Sequence, residues 1–115
     1  MNAVMCERTN SSFRILAQCA EGYIGLCSCC GEFNYVYKNL LLVFQEEDMR
    51  QFFEWFIAAR NGQGFNMTLE NGRDHFFRGP IPNLFFAYSS EELDEIEKLY
   101  AETSLVLEAR KLVSI

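Results

Sequence analysis

Two stretches of the chain carry the same succession of apolar and polar positions 44 residues apart. NLLLVFQEEDMRQFFEWF, from Asn39 to Phe56, aligns with NLFFAYSSEELDEIEKLY, from Asn83 to Tyr100. Asn39 and Leu40 recur as Asn83 and Leu84, Glu47 as Glu91, and Met49, Phe52, Trp55 and Phe56 as Leu93, Ile96, Leu99 and Tyr100. Each copy opens with five consecutive apolar residues between an asparagine and a polar cluster. That pattern predicts a strand buried on both faces, central in its sheet. Each then passes into apolar residues spaced three and four apart, at 49, 52, 53 and 56 and at 93, 96 and 100, which predicts an amphipathic helix.

The helix boundaries have local causes. Ser89 can cap the free amides of the second helix while Glu92, three residues on, reaches back in a capping box. Glu46, Glu47 and Asp48 crowd the first turn of the first helix, where the macrodipole favours negative charge. Asn61 and Gly62 are expected to end that helix, glycine taking a left-handed conformation. Upstream of each unit lie paired strand candidates, Tyr23 to Cys27 with Phe33 to Lys38, and Phe65 to Glu70 with Asp74 to Arg78. The second pair is joined through Asn71 and Gly72, a strong hairpin signal. One further strand, Phe13 to Cys19, precedes them. Gly79 to Pro82 form a rigid connector, and the tail from Ser104 is expected to be helical.

The expected architecture is therefore a single α+β domain over residues 1–115. It has a mostly antiparallel sheet, two helices and an internally duplicated strand-strand-strand-helix unit, approximately 22–61 and 64–103.

Composition narrows the function classes. The chain has 115 residues, 50% of them hydrophobic, with eleven phenylalanines, enough to build a core. Sixteen acidic against ten basic residues give a net charge of −6, and the basic residues are scattered, which argues against nucleic acid as a partner. No apolar run approaches the roughly 18 to 20 residues that span a bilayer. The N-terminus lacks a basic start and an apolar h-region, so a cytoplasmic location is expected, with the five cysteines as thiols or metal ligands rather than disulfides.

The densest chemical feature is Cys27-Ser28-Cys29-Cys30, in which Cys27 and Cys30 form a C-x-x-C knuckle able to share a zinc ion. Structural zinc takes four ligands, so Cys6 or His75 would have to complete the site. Cys19 is excluded if it pairs opposite Ile24 while Cys27 lies opposite Leu16, a separation of roughly 10 Å. A redox cycle is disfavoured because no basic residue adjoins the pair and Glu32 would raise a thiol pKa. Asp74 beside His75 suggests a general base, but no third partner can be read and neighbours in a strand point to opposite faces. The carboxylates at 46–48 and 91–97 read as solvated helix faces, Trp55 and the phenylalanines as core, and the glycines lack phosphate-loop spacing. No catalytic residue is assigned.

The segment GYIGLCSCCGEFNYVYKNLLLVFQEEDMRQF, from Gly22 to Phe52, resembles a family of small uncharacterised proteins found mainly in Bacteroidetes. The likeness lies in a glycine-led strand, the C-x-x-C pair, and an asparagine opening an apolar strand that runs into an acidic-capped helix. It implies a lineage and no activity. The reading that follows is a non-enzymatic domain that self-associates, as a homodimer, or binds another protein, without a cofactor. Apolar central strands need cover on both faces, and only two helices are available. The alternative is a small zinc-binding or thiol-dependent protein using Cys27 and Cys30.

Overall fold

The computed structural model describes residues 13–63, 65–66, 72–79 and 81–113. Seven strands and two helices run in the order β1 (Phe13–Cys19), β2 (Gly22–Cys27), β3 (Phe33–Tyr37), β4 (Leu40–Phe44), α1 (Glu46–Ala58), β5 (Phe65–Asn66), β6 (His75–Arg78), β7 (Phe85–Tyr88) and α2 (Ser90–Val113). The α+β class is as expected, and after β1 the order strand-strand-strand-helix occurs twice. The strands form two antiparallel sheets rather than one, β1-β2-β3-β4 and β5-β6-β7. The hairpin expected through Asn71 and Gly72 lies mostly outside the described residues, although Gly72 has the positive φ of 77° that such a turn needs.

The two apolar strands are not central. Among the described residues β4 and β7 each lie at the edge of their sheet, and neither is uniformly buried, Leu41 being 48% exposed. A continuous apolar run records contact on both sides of a strand, and periodicity cannot say whether that contact comes from a neighbouring sheet layer or from an open groove beside an edge. A second correction concerns the end of α1. The helix passes into one wide turn over Ala59–Gln63, and Gly62 is extended at φ 179°, not left-handed. Arg60 holds this turn to α2 through Asp94, at 2.6 Å, and Glu97.

Register shows which side chains share a face. Ala17, Ile24, Tyr35 and Leu42 form one row across the first sheet, flanked by Cys19, Gly22, Tyr37 and Leu40. This face turns towards the helices. The opposite face carries Gln18, Tyr23, Val36 and Leu41, then Ile15, Gly25, Asn34 and Val43. Gly22 has a steric cause: a Cβ there would lie 2.0 Å from the Val36 carbonyl oxygen of the paired strand.

α1 joins the two sheets. Phe53 meets Tyr35 edge-on at 5.0 Å and stacks on Tyr100 of α2 at 4.5 Å, while Phe56 meets Phe77 at 5.2 Å and Tyr88 at 5.7 Å. One helix thus presents aromatic rings to both sheets, and its buried residues share one core with Leu93, Ile96 and Leu99 of α2. Aromatic contacts of this kind add about 0.5–1.5 kcal/mol each beyond area burial. The expected helical tail is present, α2 continuing to Val113.

Candidate functional site

The residues that bring β4 and β7 together begin with a tight turn. Lys38 adopts φ 53° between β3 and β4, a left-handed conformation uncommon for a side-chain-bearing residue. Its ammonium meets Glu92 Oε2 at 2.7 Å. Arg73, just before β6, donates through Nε to both carboxylate oxygens of Glu92 at 3.0 Å. The expected capping box is formed: the Ser89 amide donates to Glu92 Oε1 at 2.8 Å and the Glu92 amide to Ser89 Oγ at 3.1 Å. Burial alone would raise the Glu92 carboxyl, but Arg73, Lys38 and the Ser89 amide outweigh it and hold the group at about 2. One carboxylate thus ties the first sheet, the second sheet and the start of α2. Close by, the Tyr37 hydroxyl donates to Glu95 Oε1 at 2.5 Å, and burial followed by that carboxylate pushes the phenol above its ordinary range.

Above this cluster, between β4 and β7, lies an open slot. At one end a cavity of about 570 Å³ is lined by Leu40 and by every residue from Leu84 to Tyr88. At the other, a cavity of about 500 Å³ is lined by Leu42 and Phe44 of β4, Phe52 and Trp55 of α1, and Phe86 of β7. Successive residues of a strand point to opposite faces, so an unbroken run of lining residues means that the cavity runs along the edge of β7. The positions of β4 that line it, 40, 42 and 44, alternate as a strand's single face must. Sequence reasoning placed Glu92 in its cap and the apolar runs in the core. It could not find Lys38 and Arg73 as its partners, which are 54 and 19 residues away.

The cysteine turn is built as a tight β2–β3 connection. The Gly31 amide donates to the Cys27 carbonyl at 2.7 Å and the Cys27 amide to the Glu32 carbonyl at 2.9 Å, with Gly31 at φ 77°. Cys27 is buried while Cys29 and Cys30 are exposed. The Cys30 thiol donates to Glu32 Oε1 at 3.6 Å. The Glu32 backbone lowers the Cys30 pKa, but desolvation, Cys27 and the Glu32 carboxylate leave it raised, which disfavours the thiolate.

The other proposed ligands are not gathered here. Cys19 pairs with Gly22 and Cys27 with Phe13, because the turn falls at Ala20 and Glu21, one position earlier than expected, and β1 carries a bulge. The corrected register puts Cys19 five residues, about 17 Å, from the level of Cys27. His75 lies in the second sheet and Cys6 lies outside the described residues. No group of three or more potential ligands is assembled among the described residues.

His75 does acquire a neighbour that sequence could not reveal. Its Nε2 lies 3.0 Å from Ser90 Oγ and 3.6 Å from Asp74 Oδ1. A serine-histidine-aspartate relay needs the acid on one ring nitrogen and the serine on the other. Here both address Nε2, so the relay is not formed.

Together these features define a small α+β domain of two sheets over a shared aromatic layer, with an open seam between β4 and β7. The chain belongs to DUF6686, a family of unknown function whose model matches residues 5–111. No curated protein and no solved structure matches it. No helix among the described residues is long and apolar enough to cross a membrane.

Proposed function

We propose that this chain is a non-catalytic interaction domain that binds another polypeptide, or a second copy of itself, through β4. The observation that carries this reading is an unguarded edge. Proteins blunt exposed strand edges with charges, prolines, bulges or covering elements. β1, at the opposite edge of the sheet, carries Arg14 and a bulge between Ile15 and Ala17. β4, Leu-Leu-Leu-Val-Phe, has none of these among the described residues and leaves Leu41 half exposed. The net charge of −6 supports a protein rather than a nucleic acid as partner, and the free thiols support a cytoplasmic setting. The likeness between residues 22–61 and 64–103, with the recurring element order, supports an origin by duplication.

A photo-crosslinker at position 41 tests the reading in cells. Adducts of one defined mass, mapped to a second copy or a single identified protein and absent when the crosslinker stands at exposed Glu108, are expected. Equal, diffuse labelling from both positions would contradict it.

A second reading, zinc bound through Cys27 and Cys30, is supported by the turn that brings these two residues to one hairpin tip. Its remaining ligands would come from Cys6, from His75 after rearrangement, or from a partner. A native mass spectrum of protein purified without added metal or chelator decides it, since a stoichiometric zinc species is required.

A further inference from the structure

We propose that the cavity on the inner side of β4 binds a small primary amine with an aromatic body, its ammonium held by Asp48 and its ring lodged among the aromatic side chains of β4, α1 and β7. This goes beyond the interaction reading, which concerns the backbone edge of β4 and the outward-facing Leu41.

The walls select the body. Leu42, Phe44, Phe52, Trp55 and Phe86 border a cavity of about 500 Å³, within the range of about 300–1,000 Å³ usual for small-molecule sites. Phe52 is the hub of this lining, with its ring centroid 5.3 Å from Phe44, 5.6 Å from Trp55 and 6.5 Å from Phe86. Such rings favour a further ring placed edge-on or offset, and the faces of tryptophan and phenylalanine also attract a cation.

The rim selects the charge. The residues of α1 that reach the cavity are Asp48, Gln51, Phe52 and Trp55, spaced three and four apart and so on one face of the helix. That face is polar at its N-terminal end and aromatic beyond. The three acids of the first turn differ in their surroundings. Glu46 pairs with Lys111 at 3.2 Å and Glu47 with Arg50, whereas the exposed Asp48 carboxylate has no ion pair or hydrogen bond with a described residue. Gln51 donates through its amide nitrogen to Glu47 at 3.2 Å, which leaves its carbonyl oxygen to accept a second N–H beside Asp48.

Arg78, the other charged residue at this cavity, does not answer Asp48. The ladder pairs Arg78 with Phe85 and Phe77 with Phe86, so Arg78 and Phe85 share the face of the second sheet opposite to Phe86. There the guanidinium stacks over Phe85 at 4.9 Å and donates to the Pro82 carbonyl at 3.4 Å. One carboxylate at the mouth of an aromatic cavity matches one ammonium, and a net charge of −6 draws cations towards the chain.

The test titrates the whole chain with 2-phenylethylamine, with 2-phenylethanol as the uncharged analogue and 3-phenylpropionate as the anionic one. Trp55 is the only tryptophan, so its emission reports occupancy of the cavity directly. A saturable change with the amine is expected, with a midpoint near 1 mM. The alcohol should bind about fivefold more weakly, as an ion pair at an open rim implies, and the carboxylate more weakly still. Asp48→Asn should abolish the preference for amine over alcohol while leaving alcohol binding unchanged. Glu21→Gln, which removes the same charge from an exposed turn at the far end of the first sheet, should leave the preference intact. Amine and alcohol binding within twofold of each other in the parent would overturn the proposal. So would a preference that survives Asp48→Asn, one lost equally on Glu21→Gln, or no saturable response up to about 10 mM. None of these outcomes bears on crosslinking from position 41, so the interaction reading stands or falls separately.

Discussion

Glu92→Gln is the most informative single change, because Glu92 is where both sheets and α2 meet. Its side chain is only 9% exposed, and the folded protein lowers its pKa from 4.5 to about 2. At 1.36 kcal/mol per pH unit that difference corresponds to about 3 kcal/mol of stability at neutral pH. Glutamine can still accept from the Ser89 amide, so the cap survives in part, and the change isolates the ion pairs. Lys38 and Arg73 keep side-chain exposures of 34% and 40%, so both can turn to water and the full cost of a stranded buried charge is not reached. A loss of about 2 kcal/mol is expected, which lowers Tm by roughly 10 °C in a domain of this size.

The sign of the pH dependence follows from the depressed pKa. The stabilisation is fully present above the unfolded value near 4.5 and is lost as pH falls through the folded value near 2. Urea titrations of both proteins at pH 7 and pH 3 should therefore give stabilities that converge, with less than half of the difference left at the lower pH. A variant within about 0.5 kcal/mol of the parent at pH 7 would refute the role assigned to Glu92. So would a difference of equal size at both pH values.

Three further substitutions probe other parts of the account. Gly22→Ala should destabilise the fold by more than about 3 kcal/mol, since its Cβ would sit 2.0 Å from the Val36 carbonyl; a near-parental Tm would contradict the tight β2–β3 pairing. The Tyr35 hydroxyl is buried among Tyr88, Tyr37 and Cys19 with no hydrogen bond of ordinary length to a described residue. Tyr35→Phe should thus be neutral or stabilising by up to about 1 kcal/mol in chemical denaturation, and a loss above 1 kcal/mol would show that the hydroxyl is satisfied. Cys27→Ala should cost about 1 kcal/mol by opening a small buried void and Cys30→Ala almost nothing, whereas equal and large losses from the two would favour the zinc reading.

Much of the fold was legible because its causes are local. β1 and β4 were readable from composition and period, the α2 cap from Ser89 and Glu92 three residues apart, and the α2 tail from apolar spacing. Sheet membership was not legible. β4 looks like a central strand in one dimension because Phe44 meets Phe52 and Leu42 lines the same cavity as Phe52 and Trp55, while Leu41 and Val43 lie on the opposite face. Its edge position depends on pairings that no sequence window contains. The Lys38–Glu92–Arg73 cluster escaped for the same reason, compounded by a left-handed lysine where glycine or asparagine is the usual turn signal. The Cys19 register was misplaced because a turn one residue earlier and a bulge shift every later pair.

The account turns on whether β4 is a free edge in the isolated protein. Residue-resolved amide hydrogen exchange measures this directly. The account predicts that alternate amides of β4 exchange quickly while those of β3, paired on both sides, are protected. Uniformly slow exchange along β4, as strong as in β3, would show that edge already paired.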